Sequence, residues 1–375
     1  MKQIVFIEDI CDIKTGKLDA NASSPNGLYP FFTCSSTPLR IDMFSYDEEC
    51  VLIAGNGELN VKYYNGKFDA YQRTYIITLK KKSSDISIKY LYYFFLLYVQ
   101  FLRKNRNGSI VKYIKKGAIS KAKINIPSYQ SQLQTISIID AVFAKIDALK
   151  ENAQKNLENA NALFQQVLKQ ELTPKPNWQT KKLGEVGSLK NGINYGRNKK
   201  GIKINILGVG DFKDNYYIDD TKKLQQQSLE QYPPEDYLLK NEDVVFVRSN
   251  GNKQLVGRSV VVFPHDTPTT FSGFCIRFRK STNDIDVHYL LHYLKQPETR
   301  KKLFGNGTNI SNLNQGMLSN LEIPFPPLSE QKIIVSTLNV ISEKCSKVIA
   351  NAEKTIAECD ALKQAVLRRA FNGEL

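Results

Sequence analysis

The chain carries the same text twice, and this repetition constrains its fold more than any single motif. SQLQTISIIDAVFAKI (Ser131 to Ile146) lies over EQKIIVSTLNVISEKC (Glu330 to Cys345) at an offset of 199 residues. NALFQQVLKQ (Asn161 to Gln170) lies over DALKQAVLRR (Asp360 to Arg369) at the same offset. Identities include Gln132/Gln331, Ser137/Ser336, Lys145/Lys344, Ala153/Ala352, Leu163/Leu362 and Val167/Val366, and both stretches follow an Ile-Pro. Upstream of each helical stretch the similarity goes on: IEDICDIKTG with LGEVGSLKNG, ECVLIAGNG with EDVVFVRSNG (one residue longer), and IKYLYYF with VHYLLHY. The chain therefore reads as a domain followed by a helix, written twice.

The helical segments carry a seam. Ile139, Phe143, Ile146, Ala153, Leu157, Ala160, Phe164 and Val167 fall at steps of three and four, with Lys150 filling one position. Leu338, Cys345, Ile349, Ala352, Ile356, Cys359 and Val366 form the equivalent stripe in the second copy. This is a heptad pattern, which needs a partner helix to cover it. The repeat supplies one, so the expectation is two long helices packed antiparallel. Ser131 with Gln134 reads as a capping box, Thr173-Pro174-Lys175-Pro176 as a stop, and Asn372-Gly373 as a second stop. The predicted segments are 1–130, 131–172, 173–328 and 329–375. The fold class is α+β: two similar mixed α/β domains separated by two long antiparallel helices that form a coiled coil. Short strands near Cys50 to Ala54 and Val244 to Val247, and a helix near 88–103, are expected inside the domains.

Charge follows the same boundaries. The chain has 52 Lys+Arg against 37 Asp+Glu, a net +15. Residues 1–130 hold 19 basic and 11 acidic side chains, and residues 173–328 hold 22 and 15. The helical segments are close to neutral, with 4 against 5 and 7 against 6. Two basic heads on a neutral rod suit a polyanion gripped at two places. A membrane is not the expected partner, because the longest apolar run, ending at Leu102, is too short to cross a bilayer. The N-terminus carries Glu8, Asp9 and Asp12 and does not read as a signal peptide. Six scattered cysteines without a CxxC match a reduced, cytoplasmic setting.

Signatures of catalysis are scarce. Gly16-Lys17 and Gly66-Lys67 are followed by Leu and Phe, so neither forms a phosphate-cradling GxxxxGK[ST] loop. Tyr232-Pro233-Pro234-Glu235 lacks both ends of the loop used by amino methyltransferases. Asp12-Ile13-Lys14 and Asp211-Phe212-Lys213 lack the upstream acid of a nuclease. His288 and His292 sit four apart, as two metal ligands on a helix would. The repeat has Lys89 and Tyr93 at these positions, so an ordinary helix face is the preferred reading.

The informative clusters are basic, amide and aromatic. Asn56, Asn60, Lys62 and Tyr63 lead into Gln72 and Arg73 in the first copy. Arg248, Asn250, Asn252, Lys253 and Gln254 lead to Arg258 in the second. Arg, Asn and Gln offer paired donors and acceptors that match guanine and adenine edges. Lys112, Lys115 and Lys116 are candidate phosphate contacts, Arg197, Lys199 and Lys200 are further candidate DNA contacts, and Asn309 lies in the matching Asn-rich stretch of the second copy. Solvated hairpin loops remain the alternative for each residue taken singly.

These residues together resemble the specificity subunit of type I restriction-modification systems. The resemblance rests on Ile323-Pro324-Phe325-Pro326-Pro327-Leu328-Ser329-Glu330-Gln331-Lys332, which opens a long helix closing on Leu367-Arg368-Arg369-Ala370-Phe371-Asn372-Gly373-Glu374-Leu375. Lys182-Leu183-Gly184-Glu185-Val186 and Tyr64-Asn65-Gly66-Lys67-Phe68-Asp69-Ala70-Tyr71-Gln72-Arg73-Thr74 are similarly typical, whereas Ser128-Tyr129-Gln130-Ser131-Gln132 is two residues shorter than the pattern. The resemblance implies two target-recognition domains, each reading half of a split, asymmetric target in double-stranded DNA, with the helices as a ruler. It implies no catalytic site and no cofactor in this chain. Two modification subunits would bind S-adenosylmethionine and methylate adenine, and two restriction subunits would use ATP and magnesium. Partner contacts would fall on exposed helix faces around Gln132, Gln165, Glu330, Gln331, Arg368 and Arg369. The other readings are a single-chain methyltransferase or nuclease, and a coiled-coil nucleic-acid-binding adaptor without sequence specificity.

Overall fold

The computed structural model describes residues 3–104, 113–196, 201–212, 215–304 and 312–375. The chain divides into two compact units, Met1–Asn156 with Asn351–Leu375, and Leu157–Ala350. Each unit contains one mixed α/β domain and a stretch of each long helix, Tyr129–Leu172 and Leu328–Asn372. Among the described residues no helix is long and apolar enough to cross a membrane.

In the first unit a six-stranded sheet runs in the order Cys11–Thr15, Thr74–Leu79, Tyr46–Ala54, Val61–Ala70, Tyr29–Phe32, Leu39–Ile41. Its central strand shows why Cys50 to Ala54 read as an unbroken apolar run: both faces are covered. Val51 and Ile53 pack with Ile77 under the helix Ile88–Lys104, which contributes Leu91 and Phe95. Cys50 and Leu52 face the other way, against Phe32, Phe68 and Ile76. A strand buried on both sides loses the alternation of a half-exposed one.

The second unit repeats this plan. Its five-stranded sheet runs Gly187–Asn191, Cys275–Lys280, Asp243–Val247, Ser259–Val262, Tyr217–Ile218. Val244, Phe246, Ile276 and Phe278 pack with Leu290 and Leu291 of the helix Val287–Lys295. Val245, Val247, Val260 and Val262 face Leu207 and Phe271, which belong to a second sheet of Gln226–Leu229, Ile202–Leu207 and Thr269–Phe271.

Within each unit the two long helices run antiparallel. In the first, Lys363 Nζ meets Asp147 at 2.5 Å and Lys150 Nζ meets Asp360 at 2.6 Å, so positions fall on one helix as they rise on the other. In the second, Leu168 and Leu172 pack with Ile334 and Leu338. One position per heptad is fully buried: Ile139, Ile146, Ala153 and Ala160 on one helix, and Leu338, Cys345, Ala352 and Cys359 on the other. The seam departs from its predicted course at one end, where Leu168 and Leu172 are buried and Val167 is only partly so. There the helix adds Trp178 and Tyr289 to its contacts with Ile334 and Leu338.

Each domain core is closed by the end of a long helix. Leu367, Ala370 and Phe371 join the first core, with Phe371 at 4.9 Å from the Tyr90 ring. Leu168 and Leu172 occupy the same place in the second, beside Tyr289. The pairs Leu168/Leu367, Leu172/Phe371 and Tyr90/Tyr289 all lie 199 apart.

Helix entry differs from expectation in two ways. The first helix starts at Tyr129, and Ser128 Oγ accepts from Ser131 N at 3.3 Å, so the cap lies upstream of the predicted Ser131–Gln134 box. Gln132 and Gln331, expected on the exposed flank, are completely buried. Gln132 Oε1 accepts from Ser87 N at 2.9 Å, and its Nε2 donates to the carbonyls of Asp85 and Pro127 at 3.1 and 3.0 Å. Gln331 does the same with Asp286 N, the Asp284 carbonyl and the Pro326 carbonyl at 2.8 to 2.9 Å. Each amide satisfies three buried backbone groups where the helix leaves the domain, and this need excludes it from a partner surface.

Candidate nucleic-acid interface

The apolar strand at the centre of each domain ends in a polar loop whose backbone is held by the turn beside it. In the first domain Tyr71 to Thr74 form a turn, closed by Thr74 N donating to the Tyr71 carbonyl at 2.8 Å. The Arg73 carbonyl accepts from Gly55 N at 2.8 Å, and the Gly55 carbonyl accepts from Ile114 N at 2.9 Å. In the second domain Cys275 N donates to the Ser272 carbonyl at 2.8 Å, Arg248 N to the Phe274 carbonyl at 2.8 Å, and Leu313 N to the Arg248 carbonyl at 2.7 Å. Asn56 bridges Tyr113, as Ser249 bridges Asn312. Three backbone hydrogen bonds and one bridge match between the two frames, so Gly55 corresponds to Arg248 and Arg73 to Phe274.

Different side chains stand on this common frame. Gln72 and Arg73 are exposed, and Gln72 Nε2 leans on Asp19 at 3.4 Å. A Cβ at Gly55 would come within 2.4 Å of the Arg73 carbonyl, so the first domain has to offer its arginine from the turn. In the second domain the half-buried Arg248 reaches the Gly273 carbonyl at 3.4 Å, and the turn presents Phe274 with 61% of its surface exposed.

The loop after Arg248 is built by its own amides. Asn250 Oδ1 accepts from Asn252 N at 2.8 Å, and Asn252 Oδ1 accepts from Gln254 N at 3.0 Å, capping a short 3-10 turn, Lys253–Leu255. Arg300 Nη2 donates to the carbonyls of Lys253 and Gln254 at 3.3 and 2.8 Å. Behind the loop Arg258, Lys295 and Arg300 line a cavity of about 320 Å³ beside Tyr216. Lys295 lies 4.1 Å from the Tyr216 ring centre and donates to the Asn215 carbonyl at 2.9 Å. Burial, and secondarily the charge of Arg258, pulls the Arg300 guanidinium below its usual range. The cavity is therefore lined by cationic side chains, as a phosphate contact would need.

Residues 2–159 and 175–358 match the family described as type I restriction modification DNA specificity domain, one copy on each domain. The chain belongs to this family. Its members supply DNA recognition to the restriction-modification enzyme rather than catalysis. The chain is 28% identical over 400 residues to the EcoDI specificity subunit of Escherichia coli, covering 99% of this chain and 88% of that protein. It is 22% identical over 356 residues to the MjaVIII specificity subunit of Methanocaldococcus jannaschii, covering 88% and 80%. Among solved structures, one from work on complex assembly and conformational transition of the type I R-M system matches with a TM-score of 0.74 at 18% identity, covering 100% of this chain and 98% of the other. The HsdS subunit from Thermoanaerobacter tengcongensis matches with a TM-score of 0.55 at 18% identity, covering 100% and 97%. These structural likenesses bear on the fold.

For a specificity subunit, the placement of the predicted contacts is uneven. Arg73, Gln72, Arg248, Asn250, Asn252, Lys253, Gln254 and Arg258 gather on or behind the frame just described. Lys115 and Lys116 are exposed at the start of the short helix Lys116–Ser120. Asn60, Lys62 and Tyr63 are turned to internal work. Asn60 Nδ2 donates to the Cys34 carbonyl at 2.9 Å. Lys62 Nζ donates to the Ser35 carbonyl at 2.7 Å and to Asn60 Oδ1. Burial lowers the Lys62 ammonium to about 8. Tyr63 Oη donates to Glu49 at 2.6 Å, and burial with that bond raises it to about 12. Lys112, Arg197, Lys199, Lys200 and Asn309 lie outside the described residues, as does Lys213.

On the helices, Gln165, Arg368 and Arg369 are exposed. Glu330 is engaged, accepting from Lys175 Nζ at 2.7 Å and Trp178 Nε1 at 3.0 Å. Of the two histidines, His288 Nδ1 lies 3.1 Å from the Tyr217 hydroxyl, and His292 is buried beside Tyr216. Among the described residues no group of three or more His, Cys, Asp or Glu could hold a metal ion. Phe274, Arg300 and Lys295 belong to none of the clusters that the sequence pattern marks. TFSGFC and DAYQRT share no residue at matched positions, so only the strand pairing reveals that Phe274 stands where Arg73 does.

Proposed function

We propose that each domain reads one half of a split, asymmetric DNA target and that the paired helices set the gap between the halves. What supports this is the frame itself: one backbone scaffold built twice, with Arg73 at the tip of one copy and Phe274 at the tip of the other. Two copies reading the same sequence would have no need of different chemistry there. Base contacts of this kind each contribute roughly 1–3 kcal/mol to discrimination. Joint engagement then depends on half-site spacing, as for any pair of linked binding modules.

In this reading the chain recruits two modification subunits, which carry S-adenosylmethionine and methylate adenine, and two restriction subunits, which carry ATP and magnesium. The exposed Gln165, Arg368 and Arg369 are proposed contacts for the modification subunits. Adenine must leave the stack to be methylated, so this chain holds the duplex while a partner opens it.

The test is co-expression with modification subunits in a methylation-free host and genome-wide mapping of methylated adenines. A split motif with one fixed gap is expected, and exchanging either domain should alter only its half. Removing one heptad from both helices should shorten the gap and leave the half-sites unchanged. A soluble co-purifying complex that methylates no motif would overturn the proposal.

A further inference from the structure

Phe274 is anomalous in its setting. A single exposed apolar side chain on a protein surface is ordinary. This one stands at the tip of a turn surrounded by polar groups, 61% exposed, with its own carbonyl accepting from Arg248 N at 2.8 Å and Ser249 N at 3.4 Å. Its N–H is held by Ser272 Oγ at 3.3 Å. Gly273 beside it is confined: a Cβ there would lie 2.0 Å from Asn194 Oδ1. The backbone under Phe274 is thus fixed from both sides, and the ring is carried outward where it contributes nothing to the core.

The first domain shows what this position is for. Its counterpart, the third residue of an equally hydrogen-bonded turn, is Arg73, whose carbonyl receives Gly55 N just as that of Phe274 receives Arg248 N. Arginine is suited to the O6 and N7 acceptors of guanine. Phenylalanine has no hydrogen-bonding group, and the feature of a base edge it can recognise is the thymine methyl in the major groove. The arginine is not lost from the second domain; it moves to the neighbouring strand end as Arg248.

Resting on the reading that each domain contacts its own half-site, we propose that Phe274 is a specificity-determining residue. Its ring packs on the 5-methyl group of a thymine in the half-site read by the second domain. Arg73 holds the equivalent reading position in the first.

The experiment uses the complex of the full chain with its modification subunits and duplexes bearing the mapped motif. Replacing single thymines of the second half-site by deoxyuridine removes only the methyl group. At one thymine this should weaken wild-type binding roughly fourfold, the effect of one lost buried methyl contact. Phe274→Ala should lose a similar factor on the thymine duplex and no longer distinguish thymine from deoxyuridine there, while Phe274→Leu retains part of the preference. Random duplex should be bound equally by all three. Phe274→Ala binding the thymine duplex as tightly as wild type would overturn the assignment. So would an equal loss on random duplex, or loss of the modification subunits from the complex, which would make Phe274 a partner contact. If the wild-type complex methylates no split motif, the half-site reading fails and takes this assignment with it. A wild-type motif with an unaffected Phe274→Ala removes this assignment alone.

Discussion

Where the first domain ends its central strand on Gly55 and presents Arg73 from the adjoining turn, the second ends on Arg248 and presents Phe274. Three backbone hydrogen bonds beneath these residues are the same in both copies. The contrast separates two kinds of position: those that hold a backbone in place and those that the backbone holds out. Gln132 and Gln331 belong to the first kind, and are identical residues bonded to backbone groups at equivalent positions. Residues at the turn tips belong to the second, where no internal contact dictates chemistry. One element of the interior also differs. Asp243, in the strand position that Cys50 fills in the first domain, is gripped by Arg279 through Nε at 2.8 Å and Nη2 at 2.7 Å.

That interior difference gives the largest expected effect. Asp243 is 1% exposed and also accepts from Lys240 N at 2.7 Å, so Asp243→Ala leaves the half-buried Arg279 guanidinium without its counter-charge and a backbone donor without its acceptor. A loss of about 3–5 kcal/mol is expected in the second unit, against about 1 kcal/mol for Cys50→Ala in the first. Calorimetric unfolding of the two variants measures both, and equal losses would break the contrast.

Acid should also act on one domain first. Burial holds His292 down at about 4, against 6.5 when exposed. The unfolded chain therefore takes up this proton before the folded one does. Stability is complete above about pH 6.5 and drains away as pH falls towards 4, by roughly 3 kcal/mol in all. The first domain has Tyr93 at this position, hydrogen-bonded to Asp140 and uncharged throughout that range. Hydrogen exchange at pH 7 and pH 5 should show core amides around Leu290 and Leu291 losing protection while those around Leu91 and Phe95 keep theirs. His292→Phe should flatten the effect.

The glutamine pins should behave alike. Gln132→Ala and Gln331→Ala each leave one N–H and two carbonyls without a protein partner, for about 2 kcal/mol in either copy. Unequal losses, read from denaturant midpoints, would mean that the repeat is less symmetric in energy than in geometry. The smallest effect is expected at the turn tips, where Arg73→Ala should leave stability within about 0.5 kcal/mol while altering the first half-site of the methylation motif.

Much of this architecture was legible in the residue order. The offset of 199 and the heptad steps through Ile139, Ile146, Ala153 and Ala160 need only local periodicity to be read. The basic excess of residues 1–130 and 173–328 needs only counting. The site was less legible. Asn60, Lys62 and Tyr63 have the composition of a DNA-reading loop, yet they bond to Cys34, Ser35 and Glu49, 14 to 27 residues away. Gln132 and Gln331 were visible as an identity between the copies, but the same identity fits an exposed contact and a buried pin equally well.

By itself the sequence determined the duplication, the paired helices, the basic character of both heads and the absence of familiar catalytic loops, because periodicity, charge and motif spacing are properties of neighbours along the chain. Only the tertiary structure decided which polar residues face outward and which are consumed inside. It alone placed Phe274 opposite Arg248 and Arg73 opposite Gly55, pairs separated by 26 and 18 residues. Those pairings rest on hydrogen bonds between a strand end and a turn closed elsewhere in the sheet, and an exposed turn residue leaves no trace in any hydrophobic pattern.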